Sequence, residues 1–282
     1  GINVYCPTWY FLQDTDGTVD KISDAYYVER AHEDGYQVWA LFSDEDYDRV
    51  EYVLTHTSLR LSIIDEVVND MLEKGIDGIN IDFERIMSAY GNDFIQFIRE
   101  LSIRCRKEGL YLSVDNYTPY EYNACYHIEE QSRLCDYVII MAYDDYLGSG
   151  EIGPNSSLPF IREAMDLSIS KVDENKLVAA LPFYSRFWTR ESDGTLSRTE
   201  YTMRNAWDLL EQVGVDADWD PEYGLYYASY DIGSREVTGW LEYTDTIQAK
   251  LDLVTGSYNL GGFAFWQLGQ EFSAVWDVIA TY

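Results

Sequence analysis

Three polar residues alternate along one short stretch of this chain, Asp77-Gly78-Ile79-Asn80-Ile81-Asp82-Phe83-Glu84. Side chains alternate across a strand, so Asn80, Asp82 and Glu84 share one face while Ile79, Ile81 and Phe83 share the other. Asp82 and Glu84 then lie roughly 6–7 Å apart by the rise of a strand. A Glu held near a second carboxylate in poorly solvated surroundings keeps its proton to higher pH and can act as a general acid. Cleavage of a glycosidic bond needs such an acid on the leaving oxygen. A pair of acids that merely capped the next helix would not require three polar groups on one face, and burying them is costly unless they serve chemistry.

The elements around this stretch must hold it. Short apolar runs alternate with longer amphipathic ones, the pattern of βα units about a parallel sheet. Strands are predicted at Ile2–Cys6, Gln37–Phe42, Gly78–Phe83, Leu110–Asp115, Tyr137–Ala142, Leu177–Pro182 and Gly262–Trp266. Helices are predicted at Ala25–Asp34, Leu61–Lys74, Asn92–Lys107, Leu158–Ser170 and Ala249–Thr255, the first three followed by Gly35, Gly75 and Gly109 as stop signals. The spacing breaks between Pro182 and Gly261, where Met203–Val213 reads as a helix and Gly224–Tyr230 with Glu236–Tyr243 as a hairpin. The expected fold is therefore α/β, a (β/α)8 TIM-type barrel with a small α+β insertion before the last strand. Its parts would be residues 1–184 (barrel), 185–245 (insertion) and 246–282 (barrel). Seven strands are found where eight are expected. Either one is unrecognised or the first lies upstream of residue 1, and the abrupt start at Ile2 favours the second. In such a barrel Asn80, Asp82 and Glu84 point inward and end at the C-terminal mouth, where these folds place their active sites.

Composition narrows the partners. Lys and Arg number 20 against 50 Asp and Glu, a formal net charge of −30, which argues against nucleic acid and against anionic membrane surfaces. No apolar run reaches the roughly 20 residues of a membrane span. The four cysteines and three histidines are scattered without metal-ligand spacing, so no metal and no cofactor is expected. Buried free thiols are the simplest reading of the cysteines, with a Cys125–Cys135 or Cys105–Cys125 disulfide as the alternative. The 8 Trp and 25 Tyr suit a surface that stacks on sugars.

The stretch from Asp77 to Glu84 resembles the DGxDxDxE signature of glycoside hydrolase family 18, the chitinase family, in its branch of spore-cortex lytic and related bacterial surface enzymes. Further matches follow in order. Met141-Ala142-Tyr143-Asp144 resembles the family's MxYD, and Leu181 through Trp188 its PxYGRxW-like stretch. Gly261 through Glu271 resembles the last strand with its Trp, and Pro7-Thr8-Trp9-Tyr10 the end of the second strand. The resemblance implies a TIM-type barrel and a glycan substrate containing N-acetylglucosamine, either peptidoglycan or chitin-like. It also implies a secreted or cell-surface bacterial protein.

By that resemblance the substrate's own 2-acetamido oxygen is the nucleophile, a known exception to the two-carboxylate scheme. Glu84 would be the proton donor, Asp82 would orient the acetamido N–H, and Tyr143 would bond its carbonyl. Substrate binding would fall to Asn80, Asp144, Trp266, Tyr184, Arg186, Trp9 and Met141, although barrel filling is the simpler role for Met141 and packing competes for Tyr184, Arg186 and Trp9. Asn116 and Tyr117 could line the mouth. Asn80 stands where relatives often carry Asp; its amide can bond Asp82 but cannot share its charge, so the acid limb of the pH profile is expected to shift. A catalytically silent carbohydrate-binding protein on the same barrel is the alternative function, though such members typically lose the acid that Glu84 here supplies.

Overall fold

The computed structural model describes residues 2–282, which divide into two compact units: Ile2–Ile140 with Leu167–Leu177, and Met141–Asp166 with Val178–Tyr282.

The first unit runs, in chain order, through β1 (Val4–Tyr5), β2 (Thr8–Leu12), β3 (Val19–Lys21), α1 (Ala25–Glu33), β4 (Gln37–Asp44), α2 (Tyr47–Thr55), α3 (Thr57–Lys74), β5 (Gly78–Phe83), α4 (Gly91–Glu108), β6 (Tyr111–Asn116), α5 (Ile128–Leu134) and β7 (Tyr137–Met141). Strands β2, β4, β5, β6 and β7 pair in parallel in that order, and β3 turns back antiparallel on β2. β1 also pairs in parallel with β4, so the predicted strand at Ile2–Cys6 is one path along β4 that breaks at Cys6-Pro7 and resumes at Thr8. Pro7 explains the break, because it has no N–H to give a ladder.

The helices begin and end for local reasons. Asp24 caps α1 by accepting from Tyr26 N at 2.8 Å, and Asp46 caps α2 by accepting from Arg49 N at 3.1 Å. Gly75 ends α3 with φ 74°, a left-handed conformation that a Cβ would strain. The outer face of β5 explains its apolar residues. Phe83 stacks on Phe97 of α4 at 5.6 Å and meets Phe42 of β4 edge-on at 4.9 Å, while Ile79 and Ile81 are completely buried. Each such side chain contributes about 1.5–3 kcal/mol of burial, which holds the polar face of β5 in one orientation.

The second unit contains α6 (Leu158–Ile169, which runs on into the first unit), β8 (Leu177–Pro182), β9 (Tyr184–Arg190), β10 (Leu196–Thr202), α7 (Met203–Val213), β11 (Asp218–Asp220), β12 (Leu225–Ile232), β13 (Arg235–Leu241), α8 (Thr244–Ser257), β14 (Gly262–Trp266) and α9 (Val275–Ile279). β8 and β14 pair in parallel. The expected hairpin is β12–β13, but it belongs to a larger antiparallel sheet of order β10-β9-β13-β12-β11. That sheet's β9 already starts at Tyr184. One face of it packs Phe187, Val237, Ala228 and Leu241 on Ala206 and Leu210 of α7.

Among the described residues no helix is long and apolar enough to cross a membrane. All four cysteines are free thiols; Cys105 and Cys135 are buried, whereas Cys6 is exposed, contrary to the expectation of buried thiols throughout.

Candidate active site

The residues singled out in the sequence form two clusters, one in each unit. In the first, β5 lies between β4 and β6 with Asn80 opposite Leu41 and Ser113, and Asp82 opposite Ser43. Ser43 Oγ donates to Asp82 Oδ2 at 3.1 Å. Asp82 is half-buried with its Oδ1 covered, and desolvation, then the charge of Glu84, pushes its carboxyl up to about 7. Just past the strand, Glu84 N donates to Asp44 O at 3.1 Å, and Tyr117 Oη donates to Glu84 Oε2. Burial, followed by the Glu84 charge, raises the Tyr117 phenol well above its usual range, so it acts as a donor.

The turn after Glu84 is held by side chains. Arg85 takes a left-handed φ of 58°, strained for a residue with a Cβ. Tyr126 Oη accepts from Ile86 N at 3.2 Å and donates to Phe83 O at 3.4 Å. Tyr90 Oη donates to Arg85 O at 3.1 Å, and Cys125 Sγ to Ile86 O at 3.1 Å. Tyr126 also meets the Tyr117 ring edge-on at 5.8 Å. The backbone on both sides of Glu84 is thereby tied down.

Asn80 does not bond Asp82, which corrects the sequence expectation. Its Nδ2 donates to Asp115 Oδ2 at 2.6 Å, and Ser113 Oγ donates to its Oδ1 at 2.7 Å. Asp115 itself was overlooked in the sequence. Burial first, then the Asp82 charge, pushes its carboxyl well above the usual range. The signal was present: Ser113, Asp115 and Tyr117 alternate along β6 and the residue after it, as Asn80, Asp82 and Glu84 do along β5 and the residue after it. Asn116, expected at the mouth, is buried and exchanges hydrogen bonds with Gln131 at 2.8 and 2.9 Å. Trp9 is buried against Tyr27 of α1, ring centroids 5.4 Å apart.

In the second unit, Met141 and Ala142 are buried, while Tyr143 and Asp144 are half-buried. Asp144 has a left-handed φ of 64°, and its N–H donates to Asn155 Oδ1 at 3.0 Å. Tyr184 Oη donates to Asp144 Oδ1 at 2.7 Å, and Arg186 Nη2 donates to the same oxygen. Arg186, only 1% exposed, also donates to Asp145 O at 3.2 Å and to Glu200 Oε1 at 3.1 Å. Both Tyr184 and Arg186 therefore hold Asp144; their polar atoms are engaged by protein. Tyr143 meets Tyr184 edge-on at 6.2 Å. Trp266 closes β14 and is 37% exposed, while Phe265 beside it stacks on Phe183 at 4.6 Å. A Cβ on Gly262 would meet no atom of the described residues within 4 Å, leaving room along that strand. Among the described residues no group of His, Cys, Asp and Glu could hold a metal ion.

The model of the glycosyl hydrolases family 18 matches residues 19–271. An uncharacterized glycosylase, YvbX, of Bacillus subtilis is 24% identical over 265 residues, 86% of this chain and 74% of that one. A cortical fragment-lytic enzyme of Bacillus subtilis is 24% identical over 254 residues, 85% of this chain but only 56% of that protein's length. The crystal structure of a chitinase from Chromobacterium violaceum superposes with a TM-score of 0.87 at 21% identity, over 99% of this chain and 90% of that one. The fold is thus the α/β, TIM-barrel type of these glycosylases. With the family's model spanning most of its length, the chain belongs to the glycosyl hydrolases family 18.

Proposed function

We propose that this protein is a glycosidase that cleaves β-1,4 linkages of N-acetylglucosamine-containing glycans, peptidoglycan or chitin-like, by substrate-assisted catalysis with retention. The observation that carries this reading is the pair on β5. Glu84 stands at the strand's end on a tied-down backbone, and two residues earlier Asp82 is half-buried and raised to about 7, in part by the charge of Glu84. Such a pair can supply an acid at neutral pH.

In the first step Glu84 gives its proton to the leaving oxygen as the C1–O bond breaks and the acetamido oxygen bonds C1. In the second, Glu84 takes a proton from water, whose oxygen bonds C1 as the oxazolinium C1–O bond opens. Asp82 orients the acetamido N–H and offsets the developing positive charge. In the second unit Tyr143 is assigned to the acetamido carbonyl and Asp144 to the sugar. Trp266 would be the apolar floor, with an exposed ring suited to stacking. Tyr184 and Arg186 position Asp144. The names of the relatives, a cortical fragment-lytic enzyme among them, support a cell-wall glycan met outside the membrane.

Products from chito-oligosaccharides and from peptidoglycan strands test the reading with wild type and Glu84→Gln. The substitution is expected to cut kcat by roughly 10²–10⁴, the usual worth of general acid–base catalysis, and the first product anomer should retain its configuration. Wild type that cleaves neither glycan defeats the enzyme reading; full cleavage by Glu84→Gln rejects the acid.

A further inference from the structure

We propose that Asp115, on the strand beside the carboxylate strand, shares one proton with Asp82 and takes that proton up when Asp82 turns, ionised, toward the substrate. This rests on the glycosidase reading above and assigns Asp115 as a positioning residue that acts through Asp82.

The geometry carries it. Asn80 is opposite Ser113 and Ile81 opposite Val114, so continuing the register sets Asp82 beside Asp115 on strands about 4.8 Å apart. The orientation of the Asn80 amide follows from its partners. Ser113 donates to its oxygen at 2.7 Å, so its nitrogen must face Asp115 Oδ2, at 2.6 Å. Asn80 therefore addresses Asp115 and has no proton to trade with Asp82. Asp82 Oδ1, meanwhile, is buried and has no hydrogen-bond partner among the described residues. A buried orphan acceptor costs free energy, which a proton held between the two carboxyls would remove. The groups facing the pair add no cation. They are Glu84 on the chain after β5, Glu45 after β4, the Ser43 hydroxyl, Tyr117 and Tyr126, and the Cys6 thiol. Two half-buried carboxyls side by side without a cation ionise together only at a cost, so the pair holds one proton. When Asp82 needs its charge for the acetamido group, the proton moves from Asp82 to Asp115, and no other bond changes.

The test compares wild type, Asp115→Asn, and the exchange Asn80→Asp with Asp115→Asn, which keeps the bond between the two positions with donor and acceptor reversed. Asp115→Asn is expected to lower kcat at least tenfold with little change in KM, and to shift the acid limb of the pH profile. The exchange should recover most of that loss, because a carboxyl again stands next to Asp82. An unchanged kcat and acid limb in Asp115→Asn overturns the proposal, and so does an exchange variant that melts like wild type yet stays as slow as the single one. If the single variant does not fold, carbon NMR of the Asp side-chain carboxyls in wild type decides. Coupled titration with one proton retained toward pH 7 supports sharing; two independent titrations at about pH 4 refute it. That titration needs no turnover, so it separates this proposal from the glycosidase reading, which fails instead if wild type cleaves no glycan.

Discussion

At the scale of single residues, Glu84 is only as good an acid as its surroundings make it, and Tyr117 is the nearest of them. Its phenol donates to Glu84 Oε2, a bond to a charged group worth about 1.5–3 kcal/mol. Tyr117→Phe is therefore expected to lower kcat about tenfold, the equivalent of ~1.4 kcal/mol, with KM nearly unchanged; steady-state kinetics on a defined oligosaccharide would check it, and an unaltered kcat would remove Tyr117 from the machinery. Glu84 and Asp82 were legible because strand parity alone puts them on one face. Tyr117 could be placed at the mouth but not on Glu84, and Asp115 not at all, because pairing them with β5 requires the β5–β6 register, and no single strand contains it. For Arg186 and Tyr184 the sequence leaves sugar binding and packing both open for a similar reason. Their types suit a sugar, but burial and the bonds to Asp144 come from elements far apart in sequence.

At the scale of elements, β5, β8 and β14 were legible to the residue because apolar alternation or an apolar run marked both ends. β10 was missed since it is a largely exposed edge strand, LSRTEYT, with nothing buried to impose a pattern. α2 was missed because its start lies in the acidic run Asp44-Glu45-Asp46, which reads as a loop until Asp46 is seen capping it. The placement of β5 depends on its first residue. A Cβ on Gly78 would come within 2.8 Å of Trp39 Cδ1 and 2.9 Å of Tyr111 Cβ, and those two rings stack at 5.1 Å. Gly78→Ala must push the rings or the strand aside, an overpacking cost of about 1–3 kcal/mol. Gly262→Ala on β14, where a Cβ meets nothing within 4 Å, should change stability by no more than about 0.5 kcal/mol. Urea unfolding of the two variants side by side is the check, and equal midpoints would show that the layer at the start of β5 is not tight.

At the scale of the whole molecule, the enclosed carboxylates set function against stability. Asp82 is raised to about 7 in the folded chain against an ordinary 3.8, so the folded state binds its proton more tightly than the unfolded state does. Its contribution to stability is complete below about pH 4, declines as pH rises, and is gone above about pH 7, where the folded chain must carry the charge in a poorly solvated place. An amide carries no such charge. Asp82→Asn is therefore expected to abolish turnover yet to be more stable than wild type at pH 8, by on the order of 2 kcal/mol, with much of that gap closed at pH 5. The net charge of −30 also destabilises the folded chain as pH rises, through self-repulsion, but it acts on both proteins nearly alike and cancels in the difference. Denaturant unfolding of the two proteins at pH 5 and pH 8 reads the Asp82 carboxyl together with its effect on Asp115. A gap that is the same at both values would mean that its enclosure costs the fold nothing. A gap that widens with pH would show the site retaining a charge that the rest of the molecule would be more stable without, as expected where catalysis rather than packing dictates the residue.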